Sequence, residues 1–167
     1  KIEATENSIY EESTPISIEN STDAIKNENL NISKLAYYAE NSTHLAVQKL
    51  NEIYNTKFTK EVRVGRHTYD AIGNIDGKTY IVECKYIRNI TINRLLSIYQ
   101  QVLRYRESIF NKKTQMIIVC ILEKYTEEIC AKIKEYYKSI DPNLNIFVFD
   151  YNELKTQFKS IEYGIAY

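Results

Sequence analysis

The sequence predicts an α/β fold, a mixed β-sheet with helices on both faces. Three observations carry this reading. Asp76-Gly77 is a two-residue hairpin signal between two alternating segments. The continuous apolar run "QMIIVCIL" at 115–122 suits a central strand covered on both sides. Segments with a 3.6-residue apolar period separate the later strands, as crossover helices do. The chain has 167 residues, 44% of them hydrophobic, enough for one domain with a sizeable core.

Residues 1–32 are rich in Ser, Thr, Asn and Glu and lack a sustained apolar period. They read as a linker or arm ahead of a domain over 33–167. This arm has two lysines against seven acids, a net of −5. Because the whole chain balances 22 cations with 22 anions, the remainder carries +5. No signal-peptide pattern and no apolar stretch of membrane-spanning length occurs, so no membrane association is expected. The chain starts at Lys1 rather than Met, which points to a piece of a longer, multidomain protein. Cys84, Cys120 and Cys130 are odd in number and lack metal-ligand spacing, the usage of reduced thiols in the cytoplasm.

The elements follow in order. Ile32 to Tyr54 is helical, with Leu45, Leu50, Ile53 and Tyr54 on its apolar face. An interruption is expected at "ENST", where Ser42 or Thr43 caps a second helix. "KEVRVGR", "TYDAIGNI" and "KTYIVECKY" alternate as three meandering, antiparallel strands. From Ile92 a helix places Leu95, Leu96, Tyr99, Val102, Leu103 and Phe110 on one face. After the 115–122 strand, "TEEICAKIKEYYKSI" is a helix with Ile129, Ile133, Tyr136 and Tyr137 inward, ended by Asp141-Pro142. "NIFVFD" is the last strand, and Asp150 with Glu153 opens a final helix.

The hairpin "YDAIGNIDGKTYIVECKY" carries charges where apolar residues are expected. Taking the two-residue turn literally, Ile75 pairs with Lys78, and Asp70 falls opposite Glu83. Directly opposed residues share a face with Cβ atoms about 4.5–5.5 Å apart. The period of two adds Lys85 to that face, and Ile72 opposite Ile81 continues it. Two carboxylates this close repel, and a divalent cation between them removes the difficulty. Hard oxygen donors favour Mg²⁺ or Mn²⁺. Lys85 can then orient a water or steady charge developing on a phosphate.

Asp70 followed by "ECK" at 83–85, on the second and third strands after a leading helix, resembles the PD-(D/E)XK nuclease superfamily with its restriction-endonuclease-like αβββαβ core. The resemblance covers roughly residues 33–150. It implies metal-dependent phosphodiester hydrolysis, with Asp70 and Glu83 as metal ligands and Lys85 assisting the nucleophilic water. Tyr69 stands where the superfamily usually has proline, and Cys84 at the middle position is expected to be core. The superfamily often adds an acid from the leading helix: Glu40 is the first choice here and Glu52 the second. Gln101 and Tyr105 match the Q-x-x-x-Y pattern of the recombination-exonuclease branch, where the pair lies beside the active site. Arg94, Ile98, Gln101 and Tyr105 fall on one stripe bordering the apolar face.

Arg88, Arg94, Arg104, Arg106, Lys112 and Lys113 make the segment after the hairpin basic, which suits phosphate contacts without sequence readout. His67 can reach a phosphate, although a lone His is more often structural. The expectation is a Mg²⁺-dependent endonuclease acting on nucleic acid, DNA favoured, with homodimerisation common in the superfamily. The alternative is the same fold without activity, used to bind nucleic acid or a partner protein.

Overall fold

The computed structural model describes the backbone of residues 22–109 and 114–158, and side chains over 31–104 and 114–158. Phe110, Lys112 and Lys113 lie outside the described residues, as do the side chains of Tyr105 and Arg106.

The hairpin sets the frame. Asp76 and Gly77 both have positive φ, 51° and 78°, the backbone that a two-residue turn demands. Ile75 pairs with Lys78, and β2 (His67–Ile75) runs antiparallel to β3 (Lys78–Ile87) in that register up to Ala71↔Val82. β1 (Thr59–Val64) adds antiparallel to β2. β4 (Gln115–Leu122) and β5 (Asn145–Asp150) each join in parallel, which gives the order β1-β2-β3-β4-β5. The mixed sheet read from the sequence is the sheet observed.

Helices cover both faces. On one side α2 (Ile92–Ile109) and α3 (Glu127–Ile140) pack Leu95, Ile98, Val102, Ile133 and Tyr137 against Ile81, Ile118 and Cys120. On the other, α1 (Thr22–Tyr54) and α4 (Tyr151–Gln157) pack Leu45, Leu50 and Leu154 against Val82, Cys84, Ile117 and Val119. β4 is buried along nearly its whole length because it is covered twice. Thr126 caps α3 by accepting from the Ile129 N–H, and Asp150 caps α4 by accepting from the Asn152 N–H.

The leading helix departs from expectation. It starts at Thr22, inside the segment read as an arm, and it is not interrupted at "ENST". The hydroxyls of Ser42 and Thr43 donate back to the Ala39 carbonyl, at 2.8 and 3.0 Å, instead of capping a new helix. Asn41 and Ser42 are buried against the sheet side, with Asn41 donating to the Tyr151 hydroxyl at 2.9 Å. The helix ends at Asn55, whose φ of 48° is the left-handed C-terminal geometry.

Among the described residues no helix is long and apolar enough to cross a membrane.

Candidate active site

The site forms where the sheet divides. Pairing between β2 and β3 stops at Ala71↔Val82, while β3 continues to Ile87 against β4 and β2 continues to His67 against β1. A slip in side-chain alternation marks the division. Tyr69 and Ala71 are two apart, yet Tyr69 packs with α2 and α3 while Ala71 packs with α1 and α4. Across the β1–β2 ladder the register is unchanged from Lys60↔Ala71 to Val62↔Tyr69, but Glu61, with φ 52°, and Asp70 between them are not paired.

Asp70 fills the gap that results. One of its carboxylate oxygens accepts the Cys84 backbone N–H at 2.7 Å, taking over from the β2 backbone. Glu83 is only 4% exposed, and its Oε1 is buried without a hydrogen-bond partner. Its carboxyl neighbours that of Asp70 closely enough for the two to act on each other's protonation. Burial first, and the neighbouring Asp70 charge second, push Glu83 from its ordinary 4.5 up to about 8. Burial likewise raises Asp70, opposed by the Cys84 N–H and by the Lys85 charge; Glu61 adds to the rise. Both carboxyls are thus shifted toward their protonated forms.

Lys85 is half-buried and makes no ion pair among the described residues, but its charge acts favourably on both carboxylates. Cys84 is buried in the cluster with α1 and α4, the core role expected for it.

A cavity of about 440 Å³ opens between α1 and this point, bordered by Asp70, Lys85, Glu40, His44, Lys60 and Glu61 among others. Glu40, exposed, thus lies on the wall that carries Asp70. Glu52 does not; it pairs with Lys49 at 3.6 Å. His44, Lys60 and Glu61 were not singled out from the sequence. The Lys60 ammonium meets His44 Nδ1, tying the edge strand to α1, and burial together with that ammonium lowers the His44 pKa. Only the positive φ at Glu61 and the packing of α1 reveal these three.

The remaining candidates lie elsewhere. Gln101 is half-buried on α2 and does not line this cavity. Arg94 is half-buried; its charge acts on Cys120 and Tyr137, so it faces the sheet and not open solvent. Ile98, expected on the bordering stripe, is fully buried. Arg88 is exposed and pairs with Glu123 at 3.0 Å, and Arg104 is exposed. His67 stacks obliquely on Tyr69, ring centroids 6.5 Å apart.

A buried Glu83 with an orphaned oxygen, beside a half-buried Asp70, suits a hard divalent cation, although only Asp70 of the two lines the cavity. Among the described residues no three acid, His or Cys side chains converge into a metal-holding group, so Glu40 is not drawn together with Asp70 and Glu83. No family model, curated protein or solved structure matches the chain.

Proposed function

We propose that the chain is a divalent-metal-dependent nuclease of the PD-(D/E)XK type, acting on DNA. The observation that carries this reading is the carboxyl pair at the division of the sheet, a buried Glu83 beside a half-buried Asp70, with Lys85 two residues on from Glu83. Burying two like charges together costs stability unless something compensates. Asp70 has a structural task in accepting the Cys84 N–H, but no hydrogen bond of the fold accounts for the buried Glu83 Oε1.

Asp70 and Glu83 would hold Mg²⁺ or Mn²⁺; Glu40 borders the cavity but does not converge with them, so it would act on such an ion only through a water. When bound, such an ion supplies Lewis-acid polarisation of a phosphoryl oxygen and acidifies a water. Lys85 orients the attacking water or neutralises charge developing on the phosphate. Lys60 and His44, which meet each other on the same cavity, would contact the phosphate backbone. Arg104 adds a sequence-independent phosphate contact. A cytoplasmic location fits three free, buried cysteines.

A second reading, a nucleic-acid-binding module without activity, draws on the absence of a three-ligand group among the described residues. Incubation with supercoiled plasmid, linear duplex, single-stranded DNA and RNA, with Mg²⁺, Mn²⁺ or EDTA, separates the two. Metal-dependent cleavage supports the nuclease. Binding without cleavage of all four substrates supports the module.

A further inference from the structure

A second cavity, about 620 Å³, lies at the other end of β3 from the hairpin turn. Its floor is apolar: Ile90, Leu95, Ile129 and Ile133, with the Tyr136 ring as an aromatic wall. Its lining contains three cations, Arg88, Lys124 and Lys132, and no acid. Arg88 and Lys132 are each held by an acid outside the lining, Glu123 and Glu128, at 3.0 and 2.9 Å. Lys124 is exposed and makes no ion pair among the described residues.

This cavity lies on the α2–α3 face and the first on the α1 face, the two connected along β3. Leu95 and Ile133 belong to the cluster on the α2–α3 face. Lys85 is in register with Cys120, a member of that same cluster. Arg88 follows Lys85 by three residues, about 10 Å of strand. An apolar cavity of this size with a cationic rim suits a ligand that is anionic at one end and flat and apolar at the other. A nucleotide has that chemistry, and tyrosine faces stack bases.

We propose that this cavity receives an unstacked nucleotide of the substrate strand, its base against Tyr136 and Ile133 and its phosphate toward Lys124 and Arg88. The identity of the ligand rests on the nuclease reading, and the substrate it selects is single-stranded or locally unpaired.

Calorimetric titration of the full chain in EDTA, with thymidine 5′-monophosphate, deoxyribose 5-phosphate and inorganic phosphate, tests this apart from cleavage. The nucleotide should bind at millimolar concentration and the other two at least about tenfold more weakly, since stacking is worth about 1–3 kcal/mol per base. Ile129→Trp, which fills the cavity from its half-buried rim, should weaken nucleotide binding about tenfold or more. Lys124→Glu, at an exposed position that leaves the core intact, should weaken it as well. Equal binding of inorganic phosphate and nucleotide overturns the proposal, as does unchanged affinity in both variants. A chain that cleaves DNA but fails this titration loses only the pocket. A chain that passes it but never cleaves loses only the nuclease reading.

Discussion

Asp70 replaces a strand: its carboxylate accepts the Cys84 N–H that the β2 backbone would bond had pairing continued past Ala71. The acid is thus fixed by the backbone of the strand that carries Glu83 and Lys85. This bond holds the half-buried Asp70 beside the buried Glu83, and the cost of that arrangement can be read out as a dependence on pH and on metal.

Without metal, stability should fall as pH rises. Glu83 binds its proton more tightly in the folded chain, about 8 against an ordinary 4.5, so between those values the folded state holds more protons than the unfolded one. The slope approaches about 1.4 kcal/mol per pH unit at most. Asp70, also raised, acts in the same sense, while the lowered His44 acts in the opposite one. Glu83→Gln removes the titration and should flatten the profile, leaving the variant more stable than the parent at about pH 8.5. Thermal melts in EDTA across this window check it; parallel profiles for parent and variant would rule out a strained pair.

Adding Mg²⁺ or Mn²⁺ should raise the melting temperature. A ligand at 100 times its Kd stabilises by about 2.7 kcal/mol, or several degrees for a chain of this size. The rise should be larger at higher pH, because the cation competes with the Glu83 proton. Asp70→Asn keeps an acceptor for the Cys84 N–H and should fold, yet show a smaller rise. Identical melts with EDTA and with saturating metal would remove the cation from the site.

The element order and the hairpin register were legible because local chemistry decides them. Asp76-Gly77 admits one two-residue turn, and counting from it gives the register as far as Ala71↔Val82. The next counted pair, Asp70 opposite Glu83, does not form, because the strands part there and the Asp70 side chain accepts the Cys84 N–H. The start of α1 was not legible: its first turns are polar, and no apolar period announces them. "ENST" misled because serine and threonine hydroxyls serve as caps and as back-bonding donors with equal ease, and packing on Tyr151 decides between them. Ile98 was put at the border of α2 because the stripe facing the sheet is wider than the strongest apolar period. The slip between Tyr69 and Ala71 runs against strand alternation, so a period-two reading cannot find it. The Lys60–His44 contact joins an edge strand to a helix and exists only through tertiary packing.

Gly73 should tolerate no side chain. A Cβ built there would stand 2.6 Å from Phe58 Cδ1, so the Phe58 ring rests directly on the β2 backbone. Gly73→Ala is expected to destabilise by about 1–3 kcal/mol through overpacking. Phe58→Leu introduced with it should recover part of the loss, because the smaller side chain vacates the ring position. A double-mutant cycle by urea denaturation measures the coupling; strict additivity would place the strain elsewhere.

Cleavage should depend on Lys85 and Glu83 and not on the fold they sit in. Lys85→Ala removes an ammonium that is half-buried and engaged in no ion pair among the described residues, so the structural loss is small. Its effect on rate should be large, about 10²–10³, the usual worth of one group that stabilises developing charge. Glu83→Gln should match it through loss of a metal ligand while melting at or above the parent in EDTA. Arg104→Ala, by contrast, should weaken binding and reduce its salt dependence by about one counterion, leaving the rate of bound substrate unchanged. Arg88→Ala should do less to the salt slope, since Glu123 already neutralises that guanidinium. Single-turnover cleavage and salt-dependent binding of the same oligonucleotide separate these effects. Parental rates in both Lys85→Ala and Glu83→Gln would sink the nuclease reading, because Glu83 is the one acid in the buried set of the described residues.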